Sequence, residues 1–391
     1  MIELADRANR ISPSMTFAIS SKARALKAEG VDVCDFSVGE PDFITPALMR
    51  EAAKAALDAG KTKYAPTAGL PRLRVAIADK LRDENDLAYA PEQILVTTGG
   101  KQALYNTMMV LLGPGDEVLI PAPAWVTYPE IVRLTGAEPV LMPTDESTDF
   151  RIDANQLAGA ISPRTRLLIL NSPANPSGTV YTEQEIVALA EVIVEHQIVV
   201  IADEIYEKLI YDGLQHVSIG SLGDEILNLT VTCSGFSKAF AATGWRLGYA
   251  AGPVHVIKAA TALQSHSTSG ANTFAQYGAV AALQAAASPA IIEEMRAAFQ
   301  ARRDLVVAEL QRIPGLSCTM PQGAFYAFPN ISRTGLDSLT FCRRLLDSEQ
   351  VAAVPGGAFG CDGNIRISYA TDTETLREGL ARLRRFAGSL T

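Results

Sequence analysis

The sequence has no apolar stretch approaching the roughly 18 residues that a membrane-spanning helix requires. Its N-terminal segment, MIELADRANRISPS, carries acidic residues where a signal peptide carries basic ones before an apolar run. Basic residues are in deficit, because 34 Lys and Arg stand against 43 Asp and Glu, for a net charge of −9. An acidic balance argues against a nucleic-acid groove or an anionic membrane surface as the main partner. We therefore expect a cytoplasmic protein with no nucleic-acid and no membrane partner.

Cysteine and histidine are also scarce. The five cysteines are widely scattered and form no Cys-x-x-Cys pair, so we expect reduced thiols and no disulfide framework. The four histidines lack the spacing of paired metal ligands, which predicts that the protein binds no metal. There is no internal repeat and no low-complexity linker. At 391 residues, the chain is long enough for two domains.

From about residue 46 to 285, short β-branched runs alternate with helical segments. Thr182 begins a capping box that ends at Glu185, and Pro71 lies where the first turn of another helix begins. The runs between helices are apolar on both faces, as strands buried in a parallel sheet are. These seven runs are 94–98, 117–120, 139–142, 166–170, 198–202, 229–233 and 247–251. We predict an α/β fold in which helices cover a mostly parallel sheet.

The pattern changes near residue 290, where a long charged helix precedes short strands around 324–328 and 365–370. This order is typical of an α+β unit. We therefore predict three parts of the chain: an N-terminal arm that joins the small domain (1–45), a large domain (46–285) and the rest of the small domain (286–391).

The pair Gly99-Gly100 lies between the strand at 94–98 and an apolar helix. Glycines let backbone N–H groups approach a ligand closely, and a helix N-terminus provides unpaired donors with a positive dipole end. The pair would therefore suit an anion such as phosphate. A tight strand-to-helix turn without a ligand explains the same residues, and for this motif alone it is the better explanation.

Two further segments place polar side chains directly after buried strands, where open α/β sheets bind ligands. In NSPANPSG, prolines and a glycine stiffen a loop that holds Asn175 as a donor, although an ordinary Asn-Pro turn is the simpler alternative. In IADEIYEKL, Asp203 ends an apolar run, so its carboxylate needs a partner, and Tyr206 follows three residues later. The alternative for Asp203 is a helix N-cap.

The most informative segment is GFSKAFAATGWRLG, which places Lys238 among small and aromatic residues rather than in a run of charges. Such a lysine either extends to water or is buried. Burial lowers the pKa of the ammonium, so that a neutral, nucleophilic amine becomes available. Arg246 follows eight residues later, where its guanidinium would suit a phosphate.

This segment resembles the cofactor-lysine signature of the class I pyridoxal-phosphate aminotransferases. Other motifs follow in the order of that family over nearly the whole chain: VGEPDF (38–43), KTKYAP (61–66), GGKQAL (99–104), PAPAWVTYPE (121–130), NSPANPSG (171–178), ADEIYE (202–207), GAFY (323–326) and RISYA (366–370). Each motif alone is weak, but the ordered set is specific. The chain resembles bacterial aspartate aminotransferases, in the subgroup that includes bifunctional aspartate/prephenate enzymes. The resemblance implies fold type I, with a seven-stranded sheet in the large domain.

The resemblance implies that pyridoxal 5′-phosphate is the cofactor. Lys238 would form the Schiff base with it and then act as the base that moves the substrate's α-proton. Asp203 would pair with the pyridinium nitrogen, while Tyr206 and Asn175 would donate to the phenolic oxygen. Trp125 would stack on the ring, although a core or interface anchor is the ordinary role of a tryptophan. The phosphate would be held by backbone groups of Gly99, Gly100 and Lys101 and by Ser237 and Arg246, with Tyr64 from the second subunit of a homodimer with shared active sites.

The substrates implied by the resemblance are amino acids and 2-oxo acids. Arg366 would bind the α-carboxylate, with a backbone contact from Gly39, although without the family a solvated edge strand would explain this arginine. Lys101 would reach the distal carboxylate, and Trp125 and Asn175 would also line the substrate site. The expected reaction is ping-pong transfer of the amino group of L-aspartate to 2-oxoglutarate, giving oxaloacetate and L-glutamate.

Two positions differ from relatives that act on prephenate, which often have lysine where this chain has Ser12 and tyrosine where it has Ala124. Loss of a cation weakens the case for prephenate, whereas a small residue at 124 would give room for bulkier side chains. Transamination of aromatic amino acids or prephenate is therefore an alternative, followed by a cysteine-conjugate β-lyase and a non-catalytic amino-acid sensor. We also predict cis peptide bonds at Ala122–Pro123 and Asn175–Pro176.

Overall fold

The computed structural model describes residues 3–9, 11 and 15–390. The helices are α1 (Asp6–Asn9), α2 (Met15–Ala28), α3 (Ala47–Asp58), α4 (Pro71–Asn85), α5 (Gly100–Leu111), α6 (Thr127–Thr135), α7 (Ala154–Ala160), α8 (Glu183–His196), α9 (Asp224–Leu229), α10 (Val254–Ser265), α11 (Thr273–Gln284), α12 (Ser288–Leu310), α13 (Ser338–Glu349) and α14 (Thr373–Gly388). The strands are β1 (Cys34–Asp35), β2 (Ile94–Thr97), β3 (Glu117–Ala122), β4 (Glu138–Pro143), β5 (Thr165–Asn171), β6 (Val199–Asp203), β7 (Thr230–Gly235), β8 (Gly248–Ala251), β9 (Tyr326–Ala327), β10 (Val351–Ala352), β11 (Val354–Pro355) and β12 (Ile365–Ser368). None of the described helices combines the length and the apolar character needed to span a bilayer.

A seven-stranded sheet with the order β2-β8-β7-β6-β5-β3-β4 forms the central layer. Strand β8 runs antiparallel to both neighbours, and the other pairs are parallel. All seven strands expected from the apolar runs are present, so the mostly parallel sheet is confirmed.

Both faces of this sheet are covered, which explains why its strands are apolar throughout rather than alternating. Leu168 and Val200 pack in a core that includes Leu189 of α8, whereas Ile169 and Ile201 pack in a core that includes Leu104 of α5. Successive residues of one strand therefore enter different cores.

The two predicted helix starts are confirmed. The Thr182 hydroxyl accepts a hydrogen bond from the Glu185 backbone N–H (3.3 Å), and the Glu185 carboxylate accepts one from the Thr182 backbone N–H (2.8 Å). Pro71 is the first residue of α4, where its missing N–H costs no helical hydrogen bond.

The N-terminal and C-terminal segments pack together beside the central sheet. Strand β1 pairs in parallel with β10, and β11, β12 and β9 form a small antiparallel sheet. Phe36, next to β1, shares one apolar core with Phe341 of α13 and Leu380 of α14. The division into domains at residues 45 and 285 stays a prediction.

Both predicted cis peptide bonds, Ala122–Pro123 and Asn175–Pro176, are present. A third, Ser172–Pro173, lies in the same loop as the second and was not expected from the sequence. The loop after β5 therefore contains two cis prolines.

Candidate active site

A cavity of about 590 Å³ opens at the carboxyl edge of the central sheet. Strands β5 and β6 reach it with Asn171 and Asp203, which are paired in register, because the carboxyl ends of parallel strands meet at one edge. The small C-terminal sheet closes the other side with Tyr326 and Arg366. The predicted residues that line the cavity are Gly39, Gly100, Lys101, Trp125, Asn175, Asp203, Tyr206, Ser237, Lys238, Arg246 and Arg366.

Gly99 and Arg246 pack against each other at the expected anion cradle. Gly99 has a φ of +83°, and a Cβ on it would lie 2.6 Å from a guanidinium nitrogen of Arg246, so this position requires glycine. Arg246 Nη1 donates to the Thr243 carbonyl at 2.9 Å. Gly100 begins α5 at the cavity, which brings the unpaired N–H groups of the helix start to the same place as Ser237. These donors suit a phosphate.

Asp203 is a buried carboxylate held by neutral donors. It accepts hydrogen bonds from the Tyr128 hydroxyl (2.7 Å) and from the backbone N–H of Ile205 (3.3 Å). Burial raises the pKa of Asp203 to about 6, although the Tyr128 hydrogen bond acts in the opposite direction. Around neutral pH the group is therefore mostly ionised, and a cationic ligand would be a favourable partner.

Tyr206 and Asn175 lie at the cavity with partners from the C-terminal sheet. The hydroxyls of Tyr206 and Tyr326 are 2.8 Å apart, and burial raises the pKa of Tyr206 well above its ordinary value. Asn175 Oδ1 accepts from Arg366 Nη1 at 3.2 Å, while its backbone N–H donates to Asn171 Oδ1 at 2.9 Å. This arrangement fixes the Asn175 side chain with its oxygen toward Arg366.

Lys238 carries the expected nucleophilic amine. Burial, together with the nearby Arg366 charge, lowers the pKa of Lys238 to about 8. Its Nζ donates to the Gly39 carbonyl at 2.5 Å and lies 5.7 Å from the Tyr206 ring centroid. A fraction of this amine is therefore neutral at physiological pH, as nucleophilic attack requires.

Arg366 has a buried guanidinium with donors available to bind a carboxylate. Nη2 donates to the Ser37 carbonyl at 2.8 Å, and Nε has no partner within the described part of the chain. The guanidinium carbon lies 4.6 Å from the Tyr326 ring centroid and 5.2 Å from that of Phe359. The two aromatic faces fix the plane of the fork, and no carboxylate among the described residues forms an ion pair with it.

Lys101 and Trp125 line the cavity together. Lys101 Nζ lies 4.8 Å from the Trp125 ring centroid, within cation–π range. Partial burial and the charge of Arg246 lower the pKa of Lys101. Gly39 is constrained by its neighbours, because a Cβ there would lie 2.9 Å from the Tyr326 hydroxyl. The Gly39 backbone is thus held beside both Lys238 and Tyr326.

The sequence model described as aminotransferase class I and II matches residues 31–383. This chain belongs to that family. The predicted resemblance to the class I aminotransferases is therefore confirmed, and this family is dependent on pyridoxal phosphate in general.

Individual members of the aminotransferase family are similar to this chain over nearly their full lengths. Aspartate aminotransferase of Bacillus subtilis is 47% identical over 390 residues, covering 98% of this chain and 99% of that protein. Aspartate/prephenate aminotransferase of Cereibacter sphaeroides is 46% identical, covering 100% of both chains. The solved structure of Thermus thermophilus aspartate aminotransferase with maleate has a TM-score of 0.95 at 44% identity, covering 99% of this chain and 100% of that one. Fold type I is confirmed by this similarity.

The cavity residues that the sequence reasoning missed include three aromatic side chains, Tyr128, Tyr326 and Phe359. Tyr128 lies in the same short segment as Trp125, and a helical turn after Trp125 would have brought both to one side. Tyr326 lies in a short apolar strand and Phe359 ends a short 3₁₀ helix, and in both settings an aromatic side chain is ordinarily a core residue.

The residues that line the cavity do not include Gly99, Tyr64 or Ala124, although Gly99 packs against Arg246, which does line it. Tyr64 is 94% exposed and lies instead by a separate surface depression lined by residues 62–65 and 268–274. Ala124 is buried and borders a separate void of about 20 Å³, so the room expected there for bulkier substrates is not part of the cavity. Ser12 lies outside the described residues.

Proposed function

We propose that this aminotransferase transfers the amino group of L-aspartate to 2-oxoglutarate in a ping-pong reaction with pyridoxal 5′-phosphate as its cofactor. The observation that carries the proposal is the meeting of three groups in one cavity: the Lys238 amine with its lowered pKa, the buried Asp203 carboxylate and the buried Arg366 guanidinium. The name of the Bacillus subtilis relative, aspartate aminotransferase, supports the choice of donor.

The cavity residues fit this cofactor. The ionised Asp203 has only neutral hydrogen-bond donors, which suits the pyridinium nitrogen, and the Asn175 oxygen is engaged by Arg366, which leaves its Nδ2 as a donor for the phenolic oxygen beside Tyr206. Trp125 would cover the ring. The phosphate would lie among Gly99, Gly100, Lys101, Ser237 and Arg246. When bound, the cofactor supplies an aldehyde for the amino group and a protonated ring that accepts an electron pair from the substrate α-carbon.

Lys238 has two tasks in this proposal. Its Nζ would hold the aldehyde carbon covalently until an amino acid displaces it. The released amine would then take the proton from the substrate Cα, and the resulting ammonium would deliver it to the cofactor carbon that carried the aldehyde. A pKa of about 8 suits a group that must both accept and donate a proton near neutral pH.

Arg366 and Lys101 would select the substrates. The free Nε and the two terminal nitrogens of Arg366 offer a planar fork to the α-carboxylate that every amino-acid and 2-oxo-acid substrate carries. Gly39 would contribute its backbone to the same carboxylate. The Lys101 ammonium, which lies 4.8 Å from the Trp125 ring centroid, would pair with the distal carboxylate of aspartate or glutamate. This second cation favours dicarboxylic substrates.

The proposed assembly is a homodimer with two shared sites. Tyr64 is an almost fully exposed tyrosine that lies beside a surface depression rather than in the cavity of its own chain. A role for Tyr64 at the phosphate of the second subunit would account for this exposure. A cytoplasmic location and the three-part domain division remain predictions.

Prephenate is the second candidate substrate. The Cereibacter sphaeroides relative, whose name includes prephenate, is 46% identical over its whole length, which favours this activity. Ala124 does not strengthen the case for prephenate, because its side chain borders a void of about 20 Å³ outside the cavity.

A donor and acceptor panel with the purified holoenzyme tests the proposal. We expect aspartate and glutamate as the best donors and oxaloacetate and 2-oxoglutarate as the best acceptors. A large preference for phenylalanine or prephenate would contradict the role assigned to Lys101. Borohydride reduction followed by peptide mapping tests the cofactor separately, and we expect the label on Lys238.

A further inference from the structure

The side chains of the ADEIYE segment (202–207) point in two directions. Asp203 and Tyr206 line the cavity, whereas Glu204 and Glu207 enter a buried polar cluster behind it. Glu204 is 3% exposed, and the mechanism proposed above gives neither glutamate a task. Two charged side chains buried in the segment that carries Asp203 need a physical explanation.

This rear cluster is closely hydrogen-bonded. We define it as Lys80, Asn85, Glu204, Glu207, His216 and Ser218. Asn85 Nδ2 donates to Glu207 Oε2 (2.6 Å) and to Ser218 Oγ (3.0 Å), and Ser218 Oγ donates to Glu204 Oε2 (2.8 Å). Lys80 pairs with Glu207 and donates to Asn85 Oδ1 at 2.6 Å. The cluster therefore ties α4 to the residues that follow β6.

His216 is the least satisfied member of the rear cluster. Its side chain is 10% exposed, and Nε2 lies 3.2 Å from Glu204 Oε2, at ion-pair distance without good hydrogen-bond alignment. Nδ1 has no hydrogen-bond partner in the described part of the chain. Besides Glu204, the charged groups that act on His216 are Glu207 and Lys80. The titratable groups that in turn act on or pair with these three are Asp203, Lys208, Glu84, Tyr89, Cys233 and Tyr249.

Charge balance in the rear cluster depends on His216. Lys80 neutralises Glu207, but among the described residues only His216 forms an ion pair with Glu204. Although desolvation opposes its charge, the Glu204 carboxylate raises the pKa of His216 above its ordinary value. Without the imidazolium, a buried negative charge would stand one residue from the Asp203 carboxylate, and like charges disfavour each other's ionisation.

We propose that His216 is a positioning residue, which through Glu204 holds the Asp203–Tyr206 segment in place and keeps Asp203 ionised for the cofactor. His216 touches neither substrate nor cofactor in this account. Its effect travels through one ion pair and one peptide unit, because Glu204 follows Asp203 directly.

A metal ion is a poorer explanation of the same residues. Glu204, Glu207 and His216 offer ligand atoms within 4.8 Å of one another. The Lys80 ammonium, however, already pairs with Glu207. A divalent cation would have to be placed against this charge, so the ammonium fills the place that a metal would take.

The test uses holoenzyme carrying His216→Gln, Glu204→Gln or both, with His196→Gln as the matched control. Glutamine retains a donor near the position of His216 Nε2 but has no charge. His196 is exposed and ends α8, just before the opposite end of β6. For His216→Gln we expect kcat to fall about tenfold with KM nearly unchanged. We also expect the midpoint of the pH titration of the bound cofactor's visible absorbance to shift, whereas His196→Gln should match the wild type in both.

The double variant separates a pair from two independent residues. If Glu204 and His216 act together, the double variant loses no more kcat than the worse single variant. The proposal would be overturned if the losses of kcat in the two single variants add fully in the double variant. It would also be overturned if His216→Gln keeps the wild-type kcat and absorbance midpoint although its unfolding stability is lowered. Stoichiometric metal in the purified wild type would also overturn it. The inference rests on the proposed function, and an inactive wild type would refute that function instead.

Discussion

The two sides of the cavity are built in different ways. On the sheet side, Asp203 ends β6 and Lys238 follows β7, and these two strands are adjacent and parallel in the central sheet. On the terminal side, Gly39 and Arg366 come from opposite ends of the sequence and are brought together by the short β-pairings of the terminal segments. The sheet side is thus built within one sheet, whereas the terminal side depends on pairing between the two ends of the chain. This difference suits a cofactor that stays and substrates that exchange.

Replacing Lys238 should produce the largest effect, on the sheet side. In Lys238→Ala we expect turnover of aspartate to fall by at least about a thousandfold, because both the covalent attachment and the proton transfer lose their amine. Steady-state assays and borohydride labelling measure the two losses. Lys258→Ala, which removes an exposed lysine of α10, should keep both. Substantial turnover in Lys238→Ala would assign the chemistry to another residue.

Asp203→Asn should separate stability from activity on the same side. The folded-state pKa of about 6 exceeds the ordinary value of 3.8, so the native apoprotein binds more protons than the unfolded chain between these values and loses stability as pH rises through them. The neutral amide avoids this cost. We expect apo Asp203→Asn to gain up to roughly 3 kcal/mol of unfolding free energy at neutral pH, while its holoenzyme loses activity.

Urea unfolding of both apoproteins at pH 4 and pH 7.5 measures this prediction. The gain should be present at pH 7.5 and largely absent at pH 4, where the wild-type carboxyl is protonated in the folded state. An equal gain at both pH values would show that the ionisation of Asp203 is not the cause.

Arg366→Lys should affect the terminal side alone. Lysine keeps a charge but loses the planar fork, so we expect KM for aspartate and 2-oxoglutarate to rise about thirtyfold with cofactor affinity unchanged. Arg344→Lys is the matched control, because Arg344 also lies over an aromatic ring but on α13, outside the cavity. Loss of cofactor from Arg366→Lys would remove the distinction between the two sides.

Tyr326→Phe should give the smallest effect and test the contact between the sides. It removes the hydroxyl that lies 2.8 Å from that of Tyr206. We expect kcat/KM to fall about fivefold, the cost of one buried hydrogen bond. Tyr369→Phe alters a buried tyrosine outside the cavity and should change kcat/KM less than twofold. Equal losses in both variants would indicate a general packing effect.

The sheet side could be predicted from the sequence because its signals are local. Seven apolar runs bounded by turns were enough to predict the strands. Asp203 stands directly after one of these runs, and Lys238 lies in the turn that follows another. The terminal side could not be assembled in the same way. Strands β1, β9, β10 and β11 have two residues each, too few for any periodic pattern, and their pairing depends on contacts far apart in sequence.

The errors have the same origin. Ala124 was expected to widen the substrate site, but its side chain borders a separate void. A loop has no hydrophobic periodicity from which the direction of a side chain could be predicted. Tyr326 was not singled out because the strand around it reads as core, although it contacts Tyr206 and covers Arg366. Fold-level patterns reveal burial, but not which buried polar atoms face a ligand.

The Arg366 guanidinium, buried without a carboxylate partner among the described residues, has a consequence for the lifetime of the protein. An unpaired buried cation lowers the free energy of unfolding of the ligand-free protein, and an anion that binds to it restores that stability. Resistance to heat and to proteases should therefore increase with the supply of the metabolites that the chain consumes.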